Sequence, residues 1–192
     1  KNINPYLVES SDIVILKRRT TICNVPEISF GSMPNDGGYF LFTDEEKNEF
    51  LKIEPEAVKF IRPLISAKEY LNGEKRWCLW LTDIQPSELK QLKEVLKRVQ
   101  LVKDIRTKSN RDATKKLALF PTLFGENRQP NTDYILIPRH SSENRKYIPL
   151  GFFNNNYIAS DSCLFVPDAK LFHFGILMSE MHMTWVRFVC GR

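Results

Sequence analysis

At 192 residues the chain is long enough for one substantial domain or two small ones. Its 42% hydrophobic and 27% charged residues are ordinary for a folded protein, and no run approaches the roughly 18 apolar residues that span a bilayer. The formal charge of +5 is concentrated: residues 85–116 hold ten Lys/Arg against four acids, a net +6, so the other 160 residues sum to about −1. A local basic face of this kind is the electrostatic footprint expected for nucleic acid, and equally that of a solvated, lysine-rich helix.

In chain order, residues 5–18 alternate apolar runs (Tyr6-Leu7-Val8, Ile13-Val14-Ile15-Leu16) with a polar break at Glu9–Asp12, and predict one or two strands. Asn4-Pro5-Tyr6 lacks the second proline of an amino-methyltransferase (N/D)PP(Y/F) motif, and no glycine-rich cofactor loop precedes it. Gly31–Gly38 is a turn, because Gly supplies positive φ, Pro fixes φ and Asn/Asp close turns with their own side chains. No Gly-Lys-Ser/Thr follows, which excludes a Walker-type phosphate loop. A strand is expected over Tyr39–Phe42. Thr43 with Glu46 three residues on forms a capping box that opens a helix. Asp36 with Glu45-Glu46-Lys47 does not make a D…ExK nuclease, because that triplet falls in the capped helix rather than on a strand. A second helix is expected over Pro55–Leu64, with proline in its first turn.

Trp77–Leu81 is wholly apolar and reads as a strand inside a sheet. The longest helix is expected from Pro86, burying Leu89, Leu92, Leu96, Val99, Val102 and Ile105 and leaving Lys90, Lys93, Lys97 and Lys103 outside. Beyond it, Arg106, Lys108, Ser109, Arg111, Lys115 and Lys116 mix charged and neutral donors that suit phosphate contact, with a helical turn over Ala113–Leu119. Residues 126–132 form a polar loop. Residues 172–189 predict a buried helix whose methionines and Trp185 belong to the core. Cys23, Cys78, Cys163 and Cys190 have no ligand-like spacing and read as buried free thiols.

The chain is organised around residues 133–167. A polar segment, Arg139-His140-Ser141-Ser142-Glu143-Asn144-Arg145-Lys146, sits between the arms Tyr134–Ile137 and Tyr147–Leu150 of an expected hairpin. Arginine can clamp guanine O6/N7, glutamate can accept from cytosine N4, and asparagine can pair bidentately with adenine. The candidate DNA-binding set is therefore Arg139, His140, Ser141, Ser142, Glu143, Arg145 and Lys146, joined by the basic residues of 106–116 and by Asn154, Asn155 and Asn156. No catalytic or metal-ligating residue is assigned. The expected architecture is mixed α/β (α+β), a largely antiparallel sheet with packed helices.

FGSMPNDGG, RWCLWL, LALFPTLFGENRQP, YILIPRHSSENRKYIPLGF and HFGILMSEMHMTWVRFVCGR resemble, in this order, motifs in the DNA-recognition part of MmeI-like restriction–modification enzymes and related adenine-specific DNA methyltransferases. The resemblance runs from about Asn4 to Arg192. It implies that residues 1–192 are a target recognition domain for double-stranded DNA, within a longer cytoplasmic bacterial polypeptide. In that polypeptide a methyltransferase domain uses S-adenosylmethionine to methylate adenine N6, in some members beside a nuclease. The start at Lys1 without Met or a signal-peptide pattern, and the stop at Gly191-Arg192, agree with a fragment. The resemblance places Arg139, Ser141, Ser142, Glu143 and Arg145 on the DNA-facing surface; His140 stands where the family more often has Val. A motif shared by enzymes with different targets suits a scaffold more than base choice, which points to 106–116 and 153–157 as readers. Two other readings compete: a protein-interaction or scaffold domain with a merely solvated basic helix, and a hydrolase using His140, His173 or His182.

Overall fold

The computed structural model describes residues 2–7, 9–12, 14, 16–18 and 20–189. Val8, Ile13, Ile15 and Cys190, which figure in the expectations above, lie outside the described residues, as do Lys1, Arg19, Gly191 and Arg192. Two four-stranded sheets carry the fold. The first has the order β2-β4-β3-β7, from β2 (Leu41–Phe42), β4 (Trp77–Leu79), β3 (Ile61–Ile65) and β7 (Ile158–Ala159). The second has the order β1-β8-β5-β6, from β1 (Ser29–Phe30), β8 (Cys163–Pro167), β5 (Tyr134–Pro138) and β6 (Gly151–Phe153). Every pairing between these strands is antiparallel except β3 with β7. The architecture is mixed α/β with largely antiparallel sheets, as the sequence indicates.

The first sheet packs on α1 (Asp44–Ile53) and α4 (Lys93–Lys108) around Phe40, Phe42, Phe50, Leu79, Val95, Val99 and Val102. The capping box that opens α1 is present: Glu46 N–H donates to Thr43 Oγ1 at 3.2 Å, and Thr43 N–H donates to Glu46 Oε2 at 2.8 Å. β4 lies inside its sheet, between β2 and β3, although it ends at Leu79 rather than Leu81. The strand expected over Tyr39–Phe42 is reduced to Leu41–Phe42, because Asp36 folds its own carboxylate over Gly38 N–H and Phe40 N–H (3.0 and 2.6 Å) and holds 37–40 in a turn.

Three helical expectations are corrected. Pro55 opens only a 3-10 turn, Pro55–Phe60, and Ile61–Ile65 is β3. Arg62 precedes Pro63, which disfavours α geometry, and the β-branched Ile61 and Ile65 suit the pleated sheet. The helix from Pro86 is interrupted: α3 (Pro86–Leu89) stops before α4, whose first N–H groups are capped from outside. Glu54 accepts from Glu94 N–H and Val95 N–H at 3.1 and 2.9 Å. A carboxylate there satisfies orphan donors and meets the positive end of the helix dipole. The buried stripe is Leu92, Val95, Val99, Val102 and Arg106, while Leu96 and Ile105 are exposed. Residues 171–189 form two helices, α6 (Leu171–Leu177) and α7 (Glu180–Val189), rather than one buried helix. Their described faces leave Leu171, Phe172, Ile176, Met181 and Trp185 exposed, with Met183 buried.

The amino-terminal expectation also fails among the described residues: 2–28 contribute only the isolated bridge Ile3↔Glu9, and Leu7, Val14 and Leu16 are exposed. No neighbouring described strand offers these residues a ladder, so their apolar runs have no sheet to join.

The second sheet is built on β5. Tyr134 and Leu136 point to one cluster with Cys163 and Phe165, Ile135 and Ile137 to another with Leu150 and Val166. Tyr134, Ile135 and Leu136 are fully buried, and each such burial contributes roughly 1.5–3 kcal/mol. Gly31 lets the two sheets approach: a Cβ there would lie 2.1 Å from the Ser160 carbonyl oxygen.

Cys78 and Cys163 are buried free thiols, whereas Cys23 is exposed, against expectation. Burial pushes the Cys163 thiol up to about 12, so the native protein holds almost no thiolate there near neutral pH. Iodoacetamide at pH 8, followed by peptide mass spectrometry, is therefore expected to alkylate Cys23 readily, and Cys78 and Cys163 only after denaturant is added. Alkylation of native Cys163 at the Cys23 rate would contradict this packing.

Candidate nucleic-acid interface

The polar segment 139–146 leaves the carboxyl end of β5 as a loop, and all eight of its residues are exposed. The hairpin arm expected at Tyr147–Leu150 is displaced: the strand that pairs with β5 begins at Gly151, with Leu136↔Gly151, Ile135↔Phe152 and Tyr134↔Phe153. The loop is thus longer than a tight hairpin. Its stem is fixed by Arg139 N–H donating to Ser162 O at 3.0 Å, and Arg139 Nη1 donates to Asp161 O at 3.2 Å. Its tip turns on Arg145 N–H to Ser142 O (3.1 Å) and Asn144 N–H to Ser142 Oγ (3.3 Å). The return limb is tied to α7 by Arg187 Nη2, which donates to Lys146 O at 2.9 Å. Between loop and helix lies a cleft of about 310 Å³, lined by Ser141, Ser142, Glu143, Arg145, Tyr147, Met183 and Arg187 among others. The backbone is held from both sides while the polar side chains face outward.

The basic segment divides. Lys108, Arg111, Lys115 and Lys116 are exposed on the end of α4 and on α5 (Asp112–Leu117), and half-exposed Ser109 accepts Arg111 N–H at 3.2 Å in the turn between these helices. Arg106 is corrected from a phosphate-contact candidate to a structural residue, because it is fully buried. Its Nε donates to Asn35 O (3.0 Å), Nη1 to Leu117 O and Phe120 O (3.3 and 3.1 Å), and Nη2 to Pro34 O and Leu123 O (3.0 and 2.8 Å). A guanidinium has five N–H donors, and all five go to main-chain carbonyls. Burial lowers the pKa of Arg106, and the Asp36 carboxylate nearby opposes that shift. Arg98 is likewise structural, donating to Tyr39 O at 2.6 Å and lying over Phe42.

Asn154–Asn156 does not join the 139–146 loop. It follows β6 at the end where Phe153 pairs with Tyr134, the start of β5, so the full strand separates the two loops, roughly 16 Å at 3.3 Å per residue. Asn155 donates to Asn131 O at 3.0 Å, and Asn154 Oδ1 accepts Asn156 N–H at 3.1 Å. These asparagines therefore stand apart from the 139–146 loop, at the other end of β5. The histidines do not converge either: His173 Nδ1 accepts Lys170 N–H at the start of α6, His182 Nδ1 lies 2.8 Å from Leu177 O, and His140 follows Arg139 in the 139–146 loop.

Two residues outside the expected set lie beside Arg139. Phe30 on β1 is half-exposed, and the guanidiniums of Arg139 and Arg128 lie over its ring at 5.0 and 5.9 Å from the centroid. The long-range pairing of β1 with β8 and of β8 with β5 brings Phe30 to Arg139, and the Met33–Glu126 bridge with Arg128 N–H donating to Ser32 Oγ brings Arg128 to both; no local pattern signals it.

The model of the family described as "MmeI, target recognition domain" matches residues 9–192. DNA methyltransferase A of Bacillus subtilis (strain 168) is 39% identical over 191 residues, which are 100% of this chain and 22% of that protein. A solved structure of the Type IIL restriction-modification enzyme MmeI in complex with DNA superposes with a TM-score of 0.93 at 44% identity, covering 100% of this chain and 26% of the enzyme. The chain thus spans about a quarter or less of the length of these relatives.

Replacing Arg106 by Met takes the donor from five carbonyls, and each acceptor left unsatisfied away from water costs about 1–3 kcal/mol. A loss of about 3–5 kcal/mol in urea-unfolding free energy is expected, against at most about 0.5 kcal/mol for exposed Arg111→Gln. Equal, small effects would contradict the assignment of Arg106 to the frame.

Proposed function

Because this chain belongs to the family of MmeI target recognition domains, we propose that it is the module with which an N6-adenine DNA methyltransferase recognises a specific double-stranded DNA sequence. The observation that carries the reading is the loop 139–146: eight consecutive exposed residues, rich in Arg, Lys, Ser and Glu, mounted on a strand buried on both faces. Such a mount suits base-edge reading, which needs donors and acceptors held in place, since each bidentate pair discriminates by about 1–3 kcal/mol.

In this reading Arg139, His140, Ser141, Ser142, Glu143, Arg145 and Lys146 face the duplex at the loop. Lys108, Ser109, Arg111, Lys115 and Lys116 hold phosphates from the α4–α5 turn. Phosphate contacts fix register and carry no sequence information themselves. Arg106 contributes indirectly by fixing the turn that displays its neighbours. Asn154, Asn155 and Asn156 stay outside the reading face.

The remainder of the proposed polypeptide supplies the S-adenosylmethionine-dependent methyltransferase, which takes the adenine out of the stack. That partner domain is supported by the exposed apolar residues of α6 and α7, where Ile176, Met181, Trp185 and Phe188 line a groove. The same groove is the observation that favours the scaffold alternative. Among the described residues no helix is long and apolar enough to cross a membrane. Cytoplasmic residence follows from the proposed action on cellular DNA.

Selection of duplexes from a randomised library, by the chain and its variants, separates the roles. Glu143→Gln and Arg145→Gln are expected to change the enriched base at one or two positions. Lys115→Gln with Lys116→Gln should weaken binding to all sequences and lessen the log–log salt slope by about 0.9 for each phosphate no longer neutralised. Enrichment unchanged by the loop variants, with wild-type affinity, would favour the scaffold reading.

A further inference from the structure

We propose that Arg128, Phe30 and Arg139 form a platform that grips one backbone phosphate of the duplex at the stem of the 139–146 loop. The inference rests on the DNA-recognition reading and adds two residues to it. Three segments far apart in sequence converge here: β1, the loop after Phe124, and the residue that follows β5. Phe30 turns an exposed ring outward, and one guanidinium lies over it from each of the two arginines, at 5.9 and 5.0 Å. An aromatic face holds a guanidinium by cation–π attraction without using its N–H groups.

Each arginine is also steadied by protein oxygen. Arg128 Nη1 donates to Gly31 O and Arg139 Nη1 to Asp161 O, both at 3.2 Å. Arg128 is ion-paired with Glu126. Among the described residues that is the sole carboxylate in ion-pair contact with either arginine. Two cations sharing one ring with one carboxylate leave a net positive spot with planar donors, the chemistry that suits a phosphate.

The placement supports the same ligand. Arg106 fixes Pro34 and Asn35 to the end of α5. Gly125 N–H then donates to Pro34 O at 2.9 Å, Met33 bridges Glu126, and Arg128 N–H donates to Ser32 Oγ at 3.0 Å. Hydrogen bonds through residues 32–35 therefore link the basic helix end to Arg128, and cation–π contacts through the Phe30 ring link Arg128 to Arg139. A duplex that engages the 139–146 loop meets Arg128 and Phe30 beside the loop stem.

Duplex binding by the full 192-residue chain, followed by fluorescence anisotropy at several salt concentrations, tests the platform. Arg128→Gln is expected to weaken binding several-fold and to lessen the log–log salt slope by about 0.9, the value of one neutralised phosphate. Arg128→Lys keeps the charge and is expected to keep the slope. If wild type binds with a salt-dependent slope and Arg128→Gln leaves that slope unchanged, the platform is overturned and the wider reading stands. If wild type itself shows no salt-dependent binding, the DNA reading fails first. Should Arg128→Gln not fold, the ¹⁵N-labelled wild-type chain answers instead. Nε–Hε resonances of Arg128 and Arg139 that shift on adding duplex support the platform; resonances that stay fixed overturn it.

Discussion

The buried guanidinium of Arg106 is the feature on which the arrangement of the basic segment depends. Taking a charge out of water is costly, and it is tolerated only when every donor finds an acceptor. Arg106 meets that condition by gathering five carbonyls from Pro34, Asn35, Leu117, Phe120 and Leu123. One side chain thereby joins the end of α4, the end of α5, the Gly31–Gly38 turn and the segment before Phe124. The exposed lysines and arginines around it take their positions from a cation that never meets solvent.

β5 plays the matching part for the loop. Its five residues are all buried, with neighbours on both edges and side chains in clusters on both faces. Shifting it by one residue would exchange its two faces and carry Arg139 out of line with Ser162. The 139–146 loop therefore leaves a strand whose register is over-determined, and Arg187 on α7 steadies its return. Rigid backbone with free polar side chains is the combination that base discrimination requires, because a donor that wanders costs entropy to fix on every encounter.

Much of this fold is legible in the sequence where the determinants are local. The Thr43–Glu46 capping box, the apolar run at Trp77 and the alternation of polar and apolar stretches around β5 all rest on neighbours a few residues apart. The departures come from partners distant in sequence. Glu54 caps α4 from forty residues away, the helix is broken from α3, and its buried face carries Arg106 rather than Leu96. A basic residue beside lysines reads as a surface residue, and only the geometry of five distant carbonyls says otherwise. Asn154–Asn156 is close in sequence to the loop, yet one strand length puts it at the opposite end of the sheet. Phe30 and Arg128 carry no local signal.

The frame and the segments proposed to meet DNA are thus separable in this fold: Arg106 and β5 are buried frame, while the polar side chains of 108–116 and 139–146 are displayed by it. The most direct test is hydrogen–deuterium exchange of the chain with and without duplex DNA. The account predicts slowed exchange in peptides covering 108–116 and 139–146, with 154–156 unchanged. Slowing at 154–156, or along α6 and α7, with none at 139–146, would contradict it.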